Sequence, residues 1–141
     1  MADEPIPAPP EGYSLASGRG AFTNHNGPYF NGPSDSFVSR QAVFLLARHC
    51  NGVGILHGGM IAAFLDGLLA AAAARASGMT PITMHLSIDY LDMGRRGDWM
   101  FGEARATKVA RDVAFVEGVA QARDRDIARA TSVFRLMRRR V

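Results

Sequence analysis

The segment Met60–Ala76, MIAAFLDGLLAAAAARA, constrains this chain more than any other. Alanine and leucine dominate it, no β-branched residue follows Ile61, Gly58-Gly59 stands at its start and Gly78 lies just past its end. That composition and punctuation predict a helix. At about seventeen residues it is shorter than the roughly twenty apolar residues that cross a bilayer, and Asp66 interrupts its middle while Arg75 sits near its end. The segment therefore reads as the core helix of a folded domain, buried on nearly every side, rather than a membrane span. A chain of 141 residues with 48% apolar side chains suffices to build one such domain.

The residues around the helix follow a different period. After Pro81, Ile82, Met84, Leu86, Ile88 and Tyr90 alternate with Thr83, His85, Ser87 and Asp89, the pattern of a half-buried strand. Three further β-like stretches, Trp99–Val109, Val113–Arg123 and Ala128–Met137, are separated by the turns Ala110-Arg111-Asp112 and Asp124-Arg125-Asp126. Upstream, Phe37–Ala47 (FVSRQAVFLLA) predicts a strand, and Arg48–Gly59 a glycine-punctuated loop. Consecutive strands with short turns give an antiparallel sheet. In Val113–Arg123 the row Ala114, Val116, Gly118, Ala120 and Ala122 is small and apolar and lets a helix approach closely, while Glu117, Gln121 and Arg123 face the other way. The expected fold class is α+β, an antiparallel sheet of about five to six strands wrapped around one long central helix. Residues 1–36, rich in proline, form an irregular N-terminal arm with one helical turn near 11–18, and the domain proper occupies 37–141.

Charge and cysteine content narrow the function classes. The sequence pI of 9.6 is basic, but the net charge is only +3 and part of the excess lies in the tail Arg135, Arg138, Arg139 and Arg140. A solvated terminus accounts for that, so neither a nucleic-acid nor a membrane partner is expected. The single cysteine, Cys50, forms no intramolecular disulfide and no cysteine-based zinc cluster. Together with an N-terminus that lacks a basic segment followed by an apolar core, it favours a cytoplasmic setting. Four scattered histidines (25, 49, 57 and 85) offer no closed metal site, and no cofactor is expected.

Two features could carry chemistry. Asp66 lies within an apolar helix, where an ionised carboxylate is costly unless it is paired or reaches water. It either has a backbone or arginine partner, points off an exposed edge, or is a reactive group. His57-Gly58-Gly59 stands where free backbone N–H groups and the positive end of the helix dipole favour a carbonyl oxygen or a developing oxyanion. Tight turns use the same residues. Eight residues of helix separate Gly58 from Asp66, about 12 Å along the axis, whereas reacting groups meet within roughly 3 Å. A two-fold dimer with antiparallel helices would bring Asp66 of one chain to Gly58 of the other. Gly59, Ala62, Ala63, Asp66, Gly67, Ala70 and Ala73 form a small-residue stripe that suits such a partner, or equally the chain's own sheet.

The run Asn51-Gly52-Val53-Gly54-Ile55-Leu56-His57-Gly58-Gly59, followed by Asp66, resembles the hotdog-fold acyl-CoA thioesterases of the PaaI-like branch. Those proteins carry an asparagine, a short glycine loop, His-Gly-Gly, and an acidic residue seven positions beyond the last glycine. Thr83–Leu91 resembles the family's strand after the helix, and the likeness extends over residues 37–137. The resemblance implies hydrolysis of an acyl-CoA thioester by water in a homodimer or homotetramer, with no metal. The Gly58 amide would polarise the carbonyl, with Gly59 beside it against the substrate. Asp66 would activate water or attack as nucleophile, Thr83 would help hold the water, Asn51 would help bind the carbonyl region or orient water, and His57 would shape the loop and contact the thioester region. Arg95, Arg96 and Arg111, in predicted turns, would pair with coenzyme A phosphates. Two departures stand out: Met84-His85-Leu86 replaces the usual Val-Asp-Leu, and the usual proline after the Tyr-Leu pair, here Tyr90-Leu91, is absent from the following Asp92-Met93-Gly94. The alternative is a hotdog module that binds acyl-CoA without turnover as a sensor or scaffold.

Overall fold

The computed structural model describes residues 4–138. Its elements run β1 (Ser14–Leu15), α1 (Ala21–Asn26), β2 (Tyr29–Asn31), β3 (Val38–Phe44), α2 (Gly58–Ser77), β4 (Thr80–Tyr90), β5 (Trp99–Ala110), β6 (Val113–Ala122) and β7 (Arg125–Met137). Among the described residues they make one antiparallel seven-stranded sheet in the order β1-β2-β3-β5-β6-β7-β4, with α2 packed against one face. This is the hotdog architecture. Two of the seven strands come from the N-terminal segment, where Tyr29–Asn31 pairs with Gln41–Val43 and Ser14–Leu15 pairs outside it. Residues 11–18 hold a turn and β1 instead of the expected helical turn; the short helix lies at 21–26. Arg135 and Arg138 of the basic tail are exposed, while Arg139 and Arg140 lie outside the described residues.

The sheet admits the helix because its contact face is small. Ala104, Ala106, Ala114, Ala120 and Ala122 are buried beneath α2 together with Val116, as the alternation in β6 predicts. At two points even a methyl group has no room. A Cβ at Gly102 would lie 2.5 Å from Leu68 Cδ2 and 2.6 Å from the Phe64 ring, and one at Gly118 2.6 Å from Leu69 Cδ1. Opposite them Phe64, Leu65, Leu68, Leu69, Ala72 and Ala73 fill the core.

Only that side of α2 is covered. Gly59 is exposed, and Ala62, Ala63, Asp66, Gly67 and Ala70 are half-exposed, so the small-residue stripe turns away from the chain's own sheet except at Ala73. This corrects the expectation of a helix buried on nearly every side: a single sheet covers one face, and the other is left to a partner or to the arm. The helix is also longer than expected, beginning at Gly58 and ending at Ser77, with Gly78 in the left-handed conformation (φ 70°) as its C-cap.

Turn and bulge chemistry sets the strand phases. Arg123 and Asp124 both have positive φ (51° and 59°), the geometry of a two-residue hairpin turn that matches strand twist. β7 therefore starts at Arg125, earlier than the expected 128. In β4 the register slips between Thr83 and His85, so that Thr83 pairs with Phe134 and His85 with Val133. The extra residue, Met84, reverses the alternation. Leu86 and Ile88 pack towards the core, but Ile82 and Met84 are exposed, Met84 by 64%, and Thr83 turns towards the helix.

Candidate active site

The helix start is built by the loop before it. Asn51 Oδ1 accepts the N–H groups of Val53 (3.0 Å) and Ile55 (3.1 Å), and the Asn51 N–H donates to the Ile55 carbonyl at 2.8 Å. Its carboxamide oxygen is thus spent on bracing the loop. The loop is tied to the following turn by Leu56 N–H to the Gly94 carbonyl, 2.9 Å, and by an Ile55–Arg95 bridge. His57 is the N-cap: its backbone is extended, and its Nδ1 accepts the Gly59 N–H at 2.8 Å. With Nδ1 as acceptor, a neutral ring carries its proton on Nε2, which faces outward as a donor.

That cap decides which amide is left over. The Gly59 N–H goes to His57 Nδ1, and those of Met60 and Ile61 go to the His57 carbonyl. Among the described residues the Gly58 N–H has no partner, and it stands at the positive end of a twenty-residue helix. It is a preorganised donor for a carbonyl oxygen. Tyr90, from the end of β4, lies over it: the phenol donates to the Gly58 carbonyl at 2.9 Å, and its ring would sit 3.5 Å from a Cβ at Gly58. One peptide unit thus joins Tyr90, which donates to its C=O, to His57, which accepts from its N–H. Sequence reasoning missed this role of Tyr90, because no local pattern says which residue of a strand will reach a glycine 32 positions earlier.

Asp66 is two helical turns further on, half-exposed, and Thr83 Oγ1 donates to its Oδ1 at 2.6 Å. The pair exists because Met84 bulges out; in unbroken alternation with Leu86 and Ile88, Thr83 would face away from the helix. The fold therefore brings together Asn51, His57, Gly58 and Gly59 at the helix start, and Asp66 with Thr83 further along it. Within one protomer the two groups remain about 12 Å apart along the axis.

The three arginines separate. Arg95 and Arg96 sit in the turn against the glycine loop, but Arg96 is held by Glu4 at 2.8 Å, whose carboxylate also accepts the Ala47 N–H. That backbone hydrogen bond holds the Glu4 carboxyl below its ordinary pKa against the opposing effect of burial, and Arg96 adds to the lowering. Arg111 occupies the β5–β6 turn, a whole strand of about 36 Å away from the Trp99 end of β5. Within one protomer it does not approach Gly58.

Comparison with known proteins agrees with this arrangement. The sequence profile of the thioesterase superfamily matches residues 53–128. A Pseudomonas aeruginosa protein named "Putative esterase PA0474" is 30% identical over 132 residues, 90% of this chain and 96% of that one. Among solved structures, smu.793 from Streptococcus mutans bound to acetyl CoA has a TM-score of 0.74 at 20% identity, covering 79% of this chain and 90% of that chain. A Streptococcus pneumoniae thioesterase protein with coenzyme A also reaches 0.74, at 18% identity over 80% and 88%. The E. coli PaaI protein from the phenylacetic acid degradation operon gives 0.73, at 17% identity over 80% and 86%. With the profile spanning the loop from Val53, the central helix and most of the sheet, and a full-length relative at this identity, the chain belongs to the thioesterase superfamily and is a thioester hydrolase.

Proposed function

We propose that the protein is an acyl-CoA thioesterase whose active centres are each shared by two chains, in a homodimer or a dimer of dimers, and that it works in the cytoplasm. The observation that carries this reading is the pairing of chemistries on one helix: a free Gly58 amide at its start, and a carboxylate held by Thr83 two turns along. Coenzyme A and acetyl CoA in two structural relatives support the choice of thiol. Two unsatisfied surfaces support self-association: the small-residue face of α2, and β4, an edge strand that exposes Ile82, Met84 and Tyr90 with one side of its ladder unpaired.

In the proposed reaction the Gly58 N–H of one chain holds the thioester oxygen. Oδ1 of the other chain's Asp66 takes the Thr83 hydroxyl, leaving Oδ2 to accept a proton from water. The water oxygen attacks the carbonyl carbon, the oxyanion forms on the Gly58 amide, and collapse breaks the C–S bond. The thiolate leaves and takes up the proton, giving free acid and coenzyme A. Arg95 is assigned to the coenzyme A phosphates. Arg96 joins it only when Glu4 lets go.

The test is complementation. Asp66→Asn removes the base. Gly58→Pro removes the amide while leaving a residue suited to the first helical position, and His57, at ψ 135°, already has the extended backbone that a following proline requires. Each variant alone should lose at least two orders of magnitude in turnover. Mixed after dissociation and reassociation, half the dimers are mixed and each has one intact centre, so about a quarter of the activity returns. Tagged, verified mixed dimers without recovered activity would rule out the shared centre, and normal turnover by folded Asp66→Asn would rule out the base.

A further inference from the structure

Arg19, Phe22, Thr23 and Tyr29 flank the open face of α2 and line with it a cleft of about 390 Å³ that runs past Asp66. Phe22, Phe64 and Leu86 form its apolar wall, and three polar side chains, Arg19, Tyr29 and Gln41, also line it. Gln41 is 2% exposed, and its Oε1 has no hydrogen-bond partner. Buried polar groups are ordinarily satisfied, so an unmet one in the wall of a cleft marks a place for a water or a ligand. Arg19 is the second observation. Its guanidinium lies 5.9 Å above the Tyr29 ring and against the helix at Gly67, where a Cβ would come within 3.1 Å of Nη2. Five arginines, at 40, 96, 123, 125 and 129, have an acidic partner; half-buried Arg19 has none among the described residues. Burial lowers the Arg19 pKa, yet a guanidinium stays charged. Burial pushes the Tyr29 phenol up to about 12, so it remains a neutral donor.

A half-buried cation without an ion-pair partner is unfavourable until an anion arrives, and the Gln41 carboxamide can meet that anion only by presenting its N–H donors in place of Oε1. We propose that this cleft is the acyl subsite and that it selects acyl groups ending in a carboxylate, with Arg19 as its partner; the inference rests on the acyl-CoA thioesterase reading. The thioester carbonyl lies by Asp66, the methylene chain runs along Phe64 and Leu86, and the distal carboxylate meets the guanidinium fork. Gln41 completes the contact, since half a turn of its carboxamide exchanges the oxygen for N–H donors. Glycine at 67 leaves the guanidinium room against the helix, where a Cβ would come within 3.1 Å of Nη2.

The experiment compares ω-carboxyacyl-CoA thioesters with isosteres in which the carboxylate is replaced by an isopropyl group, glutaryl against 5-methylhexanoyl and its shorter and longer homologues. The expected wild-type result is a higher kcat/KM for the carboxylates by about tenfold to a hundredfold, the worth of one charge-assisted pair. Arg19→Met should abolish that preference while changing hydrolysis of the isopropyl-ended substrates less than about threefold. An equal loss on both series would make Arg19 a strap that only holds the arm, and a wild-type preference for the isopropyl series would equally overturn the proposal. Non-hydrolysable carboxyalkyl and alkyl thioethers of coenzyme A, titrated calorimetrically into both proteins, separate the two readings. Absence of turnover with every thioester would refute the hydrolytic assignment to acyl-CoA. Loss of the Arg19-dependent binding preference refutes the subsite alone.

Discussion

Replacing Gly102 by alanine adds one methyl group at the point where the sheet and the central helix come closest. Its Cβ would meet Leu68 Cδ2 at 2.5 Å and the Phe64 ring at 2.6 and 2.8 Å, where carbon atoms prefer roughly 3.5–4.0 Å. Neither neighbour can swing into solvent, because Leu68 is 0% and Phe64 1% exposed. The helix must therefore withdraw by about an ångström or two buried side chains must leave their rotamers, and overpacking of this kind costs about 1–3 kcal/mol. The stiffer unfolded chain of the alanine variant returns about 0.4–1 kcal/mol, leaving a net loss of about 1–2 kcal/mol. For a domain of this size that is a fall of roughly 3–8 °C in Tm, read by thermal unfolding at fixed protomer concentration, since an oligomer's Tm depends on it. Activity should fall further than stability suggests. Gly58 and Asp66 ride on the same helix as Phe64 and Leu68, and misplacement by about an ångström can cost a hundredfold in rate. Gly52→Ala is the control, because nothing lies within 4 Å of its Cβ. A Gly102→Ala protein within 0.5 kcal/mol of wild type and equally active would refute the close-packing account of how the helix is held.

Tyr90→Phe should keep the ring over Gly58 and lose the hydroxyl bond to its carbonyl, lowering kcat about three- to tenfold with little change in Tm; an unchanged kcat would remove Tyr90 from the positioning of the Gly58–Gly59 peptide. His49 should make the protein acid-sensitive. It is buried, its Nδ1 accepts the Leu46 N–H and its Nε2 donates to the Asn26 carbonyl, and desolvation holds its pKa below 6.5. The unfolded chain therefore binds the proton first, so His49's contribution is full above about pH 6.5 and is lost as pH falls through the lower folded value. Denaturation at a series of pH values should show this slope in wild type and a smaller one in His49→Gln, and equal slopes would count against it. Chelators should leave turnover intact, because His49 uses both ring nitrogens and His57 its Nδ1 in structural hydrogen bonds; activity lost to a chelator and restored by one metal would refute this.

The central helix, the antiparallel strands after it and the small-residue face of β6 were legible because each rests on local information: composition, period and glycine punctuation. The loop Asn51–Gly59 was legible for the same reason, since a cap and the amide it leaves free are fixed by residues within one turn. What the sequence hid was phase and reach. Period two continues through Ile82, Met84 and Leu86 without a break, so nothing local announces that Met84 is expelled. That bulge depends on how β7 pairs across β4, and it decides whether Thr83 meets Asp66. The N-terminal residues were opaque for a related reason. Their prolines and glycines rule out long regular elements but not two- or three-residue strands, which gain their hydrogen bonds only when an edge such as β3 already exists to receive them. Arg19 takes its place by the same route: Tyr29 is fixed in β2, stacks on Phe64 of the helix at 6.0 Å, and presents the ring over which the guanidinium lies. The residues proposed to carry the reaction thus come mainly from a contiguous helix and loop, while those proposed to choose the acyl group come from segments that only the assembled sheet brings alongside them.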